Sequence, residues 1–192
     1  DLQSALNLYM KAGLPARAAN LVSSNESLSQ SSDVIERVAS ALLKAELFAK
    51  AGELFEMARM NQRALDAYVK GASFRRAVEL CRAAFPQEVV RMEEAWGDYL
   101  VSQKQLDNAI NHYIEAGVTE KAIEAAINSR QWTKAAQVVE VLEATDAARR
   151  YYALIAEHYS DVRDLKQAEK FYLAAGNARK AVDIHIKSSN WD

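Results

Sequence analysis

Cys81, His112, His158 and His185 are the side chains whose types could supply a nucleophile or a general base, and scattered carboxylates could orient them. Acyl transfer by such a set needs thiol, imidazole and acid within hydrogen-bond reach of one another. The four residues are instead spread singly along the chain, and no two have the separation at which histidine or cysteine pairs grip a metal. Gly52, Gly71 and Gly97 also stand alone, so no glycine-rich loop is available to cradle a phosphate. Position within a repeat gives each candidate a plainer role. Cys81 falls 59 residues after Val22, which marks it as a small packing residue. His112 falls where Leu8 and Phe171 fall and is expected to be a partly buried imidazole, His185 takes the slot of Ala126, and His158 stands by itself on a long helix. The expectation is therefore a chain with no catalytic residue, no metal ligand and no cofactor, and with its binding residues unassigned.

These residues are carried by a signature recurring at fixed spacing. Alanine, tyrosine, alanine, glycine and alanine occur as Ala5, Tyr9, Ala12, Gly13, Ala18, then as Ala109, Tyr113, Ala116, Gly117, Ala122, and as Ala168, Tyr172, Ala175, Gly176, Ala181. A fourth copy, Ala64, Tyr68, Gly71, Ala72, Ala77, has the glycine and alanine exchanged. Alanines also step by 13 residues, through Ala51, Ala64 and Ala77 and through Ala109, Ala122 and Ala135. Such a step is one short helix plus a tight connection, a unit unable to bury its apolar face without neighbours. Ala109, Tyr113 and Ala116 share one helical face, where small residues admit the next helix and the ring fills the space between layers.

Composition agrees with a folded helical array. Half of the 192 residues are apolar and 26% charged, and 24 basic against 26 acidic residues leave a formal charge of −2. That balance opposes nucleic acid or an anionic membrane as partner, and no apolar run approaches the length of a bilayer span. One cysteine forms no internal disulfide, which suits a reducing, intracellular compartment. The chain opens at Asp1 and closes at Trp191 and Asp192, where an earlier copy begins a helix at Trp132. It is expected to be a window, residues 1–192, of a longer α-solenoid.

Two prolines and six glycines are too few for an all-β chain. Pro15 and Pro86 mark helix starts, Gly13, Gly117 and Gly176 mark helix ends, and Asp33 with Glu36 and Asp164 with Gln167 have capping-box spacing. These signals predict helices over 3–12, 15–24, 33–50, 53–59, 62–70, 74–84, 87–104, 106–116, 119–129, 132–142, 145–161, 165–175 and 178–189. Residues 23–32, with six serines and Leu28 as the apolar anchor, read as an exposed mobile loop. The cluster Arg149, Arg150, Tyr151, Tyr152 is a candidate interface, with one tyrosine expected to face the core and the arginines the solvent. Arg75, Arg76 and Lys180 read as solvated helix faces.

The alanine and aromatic spacing resembles the second helix of a tetratricopeptide repeat, in a degenerate form because the 13-residue step is shorter than half of that unit. Residues 1–22, 84–100 and 105–132 carry a more specific resemblance, to the helical-repeat region of the intraflagellar transport proteins, and to the peripheral subunit of their B complex in particular. The resemblance implies an all-α solenoid of tetratricopeptide-like hairpins that follows β-propellers in a longer chain. It implies a non-enzymatic scaffold in ciliary transport trains, at the cilium or flagellum, basal body and cytoplasm. Its implied partners are other intraflagellar transport subunits, with no nucleic acid, no transmembrane segment and no small-molecule ligand. Another possibility from the residues is a peptide-binding tetratricopeptide adaptor of a different trafficking complex, although no repeated lysine and asparagine set lines up to hold a peptide carboxylate.

Overall fold

The 13-residue cadence comes from one turn used again and again. The computed structural model describes residues 1–142 and 145–189 and is all-α, with no strand among them. In it a ten-residue helix is closed by a residue of positive φ and followed at once by the N-cap of the next helix. Thus α5 (Phe48–Met57), α6 (Asn61–Lys70) and α7 (Phe74–Ala84) are joined through Arg59 (φ 59°) and Ala72 (φ 53°). Each junction makes the two main-chain bonds of a Schellman motif. After α6, Ala72 N–H donates to the Val69 carbonyl (3.1 Å) and Ser73 N–H to the Tyr68 carbonyl (2.8 Å). The same pair of bonds closes α9 (Leu106–Glu115), where Gly117 donates to Ile114 and Val118 to Tyr113.

The chain divides into two compact units, Asp1–Met92 and Glu93–Asp192. The first holds α1 (Leu2–Lys11), α2 (Pro15–Ser23), α3 (Glu26–Ser29), α4 (Ser32–Lys44), α5, α6 and α7, then a 3-10 turn at Pro86–Glu88 and the start of α8 (Val89–Ser102). Its core is drawn from every long helix, with Leu6, Val22, Val38, Leu42, Leu54, Phe55, Tyr68 and Cys81 fully enclosed. The second holds the rest of α8, α9, α10 (Thr119–Asn128), α11 (Trp132–Val139), α12 (Asp146–Asp161), α13 (Leu165–Ala174) and α14 (Ala178–Ser189). One contiguous cluster from Leu100 to Ile184, including Ile110, Ile123, Val139 and Ile155, forms its interior. Short connections make successive helices antiparallel neighbours within each unit, the arrangement of helical hairpins.

Several expected boundaries are corrected. The helix expected over 33–50 is two, α4 and α5, separated at Glu46, whose φ of 58° no helix accommodates. The helix expected over 53–59 accordingly starts five residues earlier, at Phe48. Asp33 is not a cap, because α4 starts from Ser31 and Asp33 lies in its first turn, whereas Asp164 does cap α13, accepting from Gln167 N–H at 3.2 Å. Residues 23–32 are more ordered than an open loop: α3 folds within them, Leu28 is buried, and the Asn25 amide donates to the Leu21 carbonyl at 2.7 Å. The helix start anticipated at Trp191 lies outside the described residues.

The exchanged pair Gly71–Ala72 has a physical reason. The turn still places its positive φ at residue 72, held here by alanine, and the glycine has moved to a spot of close approach. A Cβ on Gly71 would lie 2.6 Å from Cβ of Phe48.

Candidate functional site

Tyr68, Tyr113 and Tyr172 occupy the same place, two residues before the last residue of α6, α9 and α13. The carbonyl of each receives the N–H that closes the turn, from Ser73, Val118 and Asn177, and its ring enters the core. One residue therefore fixes both the turn and the layer. Tyr9, the tyrosine of the remaining copy, is half-buried on α1. The Tyr68 and Tyr113 rings press on glycines of the preceding helix, since a Cβ on Gly52 or Gly97 would meet them at 2.5 and 2.6 Å.

The hydroxyls and their neighbours form the most developed polar cluster. Tyr113 Oη donates to Asp98 Oδ1 of α8 at 2.8 Å, and Lys121 of α10 donates to Glu94 (2.7 Å) and Asp98 (2.9 Å) while lying over the Tyr113 ring. Three helices are thus tied at one point. Burial and the Asp98 carboxylate push the Tyr113 phenol up to about 12. The Glu94 and Asp98 carboxylates hold Lys121 protonated well above its ordinary range. Burial alone would raise Asp98, but the bonds from Lys121 and Tyr113 outweigh it and bring its carboxyl below the usual range. Elsewhere Tyr68 Oη donates to Glu56 (2.6 Å), and Lys180, on an exposed face as expected, also holds Glu157 at 3.0 Å over the Tyr172 ring. Arg76 does lie on an exposed face, near Glu53 and Glu79.

The residues considered for chemistry are in places that hold rather than react. Cys81 is fully buried on α7, and burial followed by the charge of Glu88 pushes its thiol up, opposite to the activation a nucleophile needs. The three histidines are on helices of the second unit, each against a different partner. His112 is partly buried, as expected, with Nδ1 2.8 Å from Glu93 Oε2 and its ring stacked on Trp96 at 3.8 Å. His185 Nε2 lies 2.9 Å from Glu169. His158 does not stand alone: it stacks on Trp132 of α11 with centroids 4.4 Å apart and planes 8° from parallel. Among the described residues no group of three histidine, cysteine or acidic side chains is placed to hold a metal ion.

The arginine and tyrosine cluster also departs from expectation. Both Tyr151 and Tyr152 are buried, where one was expected to be. Tyr152 Oη donates to the Val139 carbonyl at 3.0 Å, while Tyr151 Oη donates to Glu124 at 2.7 Å and Arg150 grips the same carboxylate at 3.1 Å. These residues lock α12 to α10 and α11, and Arg150 alone of the four both locks and stays largely exposed. Sequence reasoning missed the Trp132–His158 stack, for which no local signal exists because its partners are 26 residues apart on two helices.

Turns of this kind and polar groups that bridge helix to helix define a helical-repeat protein, with helix pairs as its units. No family description matches the chain. Over its whole length, however, it is similar to a segment of intraflagellar transport protein 172: 50% identical to the homolog from Danio rerio, 48% to that from Homo sapiens and 43% to the protein from Chlamydomonas reinhardtii. All 192 residues are matched in each case, and the chain spans 11% of the length of these relatives. No helix among the described residues is long and apolar enough to cross a membrane.

Proposed function

We propose that this chain is a non-enzymatic scaffold segment of an intraflagellar transport complex of the B type, acting at the cilium or flagellum and its basal body. Similarity over the whole of this chain to a segment of a protein named for intraflagellar transport carries this reading. The physical character of the fold supports it, since the buried tyrosines and the bonded lysines described above serve to hold helices at fixed separations. Each such unit offers surfaces to neighbouring subunits and has no need of a reaction. Other intraflagellar transport subunits are its partners in this reading, with neither nucleic acid nor a small ligand required.

The test is chemical cross-linking with mass spectrometry on trains isolated from ciliated cells. Cross-links from lysines of this segment to other transport subunits, together with shortened cilia when the segment is deleted from the full protein, are the expected results. Normal cilia and trains after deletion would overturn the proposal.

A further inference from the structure

The second unit contains a surface recess whose composition differs from the others. A volume of about 420 Å³ is lined by Arg130, Gln131, Trp132, Thr133, Lys134 and His158, which supply two cations, an imidazole and an indole but no carboxylate. Three further recesses on the described residues each contain acid: Asp66 and Glu88 in one, Asp183 in another, Asp107 in the third. Within the same unit Lys121, Arg150 and Lys180 are each engaged by a carboxylate of a neighbouring helix. Arg130 and Lys134 make no ion pair among the described residues and so keep their charge for something else. The parallel stack of Trp132 on His158 fixes the indole, and Tyr159 meets the imidazole in a T-shaped contact with ring centroids 5.5 Å apart. An aromatic ring held in place beside cations loses little freedom when it is covered, which is the character of a binding anchor.

We propose that this recess docks an acidic segment of a partner protein, with Trp132 covered by an apolar side chain of that segment and its carboxylates received by Arg130 and Lys134. The occupant is a protein because the scaffold reading, on which this inference rests, makes proteins its partners.

Arg130 offers an unusual test. It holds the positive φ of its turn, 59°, so Arg130→Gly removes the cation while relieving the backbone. The full chain is titrated with a fluorescein-labelled peptide bearing glutamates on both sides of one phenylalanine, and with the same peptide carrying lysines instead. The acidic peptide is expected to bind, to shift the Trp132 indole N–H resonance, and to weaken as salt rises. Arg130→Gly is expected to raise Tm yet weaken binding about fivefold, with Lys134→Glu weakening it at least as much and Lys11→Glu, in the other unit, leaving it unchanged. Equal binding of the lysine peptide, an unaltered affinity in Arg130→Gly, or no binding of the acidic peptide at millimolar concentration would each overturn the site. A failed peptide titration alongside intact cross-links to other transport subunits faults this recess and spares the scaffold reading. Lost cross-links with the peptide still bound do the reverse.

Discussion

The α5–α6 pair in the first unit and the α12–α13 pair in the second place the same tyrosine on two different floors. Sixteen residues before Tyr68 stands Gly52, and sixteen before Tyr172 stands Ala156. At α5 the ring comes so near the backbone that a Cβ would sit 2.5 Å from it, and the hydroxyl reaches Glu56 of the same helix. At α12 the buried Ala156 keeps its methyl, and Tyr172 of α13 lies under the Lys180 ammonium. Glycine inside a helix is about 1 kcal/mol worse than alanine, so α5 gives up local stability for a closer layer, and α12 does not.

The largest test of this contrast removes the ring. Tyr68→Ala is expected to lose about 3–5 kcal/mol in urea denaturation, and Tyr9→Ala, with its half-buried ring, well under half as much. Equal losses would show that enclosure is not what makes this tyrosine matter. Next in size is the floor itself: Gly52→Ala should destabilise by about 1–3 kcal/mol through overpacking, in spite of better helix propensity. Ala156→Gly should lose about 1 kcal/mol from propensity. If Gly52→Ala instead raises stability, the close approach does not constrain α5.

Smaller again is the turn chemistry common to both pairs. Lys104→Gly and Glu46→Gly, at φ of 60° and 58°, are expected to gain about 1 kcal/mol each, while Gly117→Ala loses a similar amount. Matched thermal melts decide the sign. The smallest effect is electrostatic. Asp98 titrates below its ordinary range in the folded chain, so its contribution is present above about pH 4, the unfolded carboxylate value, and is lost as pH falls through the folded value. Melts at pH 7 and pH 3 should therefore show a gap between the chain and Asp98→Asn at the higher pH that narrows at the lower. Tyr113 works in the opposite direction, since its phenol is raised to about 12; the stability it lends is complete below about pH 10 and disappears as pH climbs through 12.

The all-α architecture was legible because the repeated tyrosine, alanine and glycine spacing encodes helix length, face and turn together. Gly13, Gly117 and Gly176 announced their turns, and they are three of the nine positive-φ residues among those described. The break at Glu46 was illegible for the same reason, because a glutamate in the left-handed region has no sequence mark, and the next helix begins from Leu47 with no capping side chain. Hidden too was the order within residues 23–32, since one buried leucine organises them. For the candidate residues, repeat position correctly read Cys81 and His112 as packing groups. It misjudged His158 and Tyr151, whose roles depend on partners from other helices and so on tertiary contacts that no local spacing records.

The Schellman junctions have a consequence for what this chain can tolerate. Because main-chain atoms make the closing bonds, the amino acid at each corner can vary, but the count of residues between corners cannot. One extra residue within a ten-residue helix would swing every later side chain by about 100° around the axis and turn tyrosines from interior to water. Length, more than identity, is what the array has to keep.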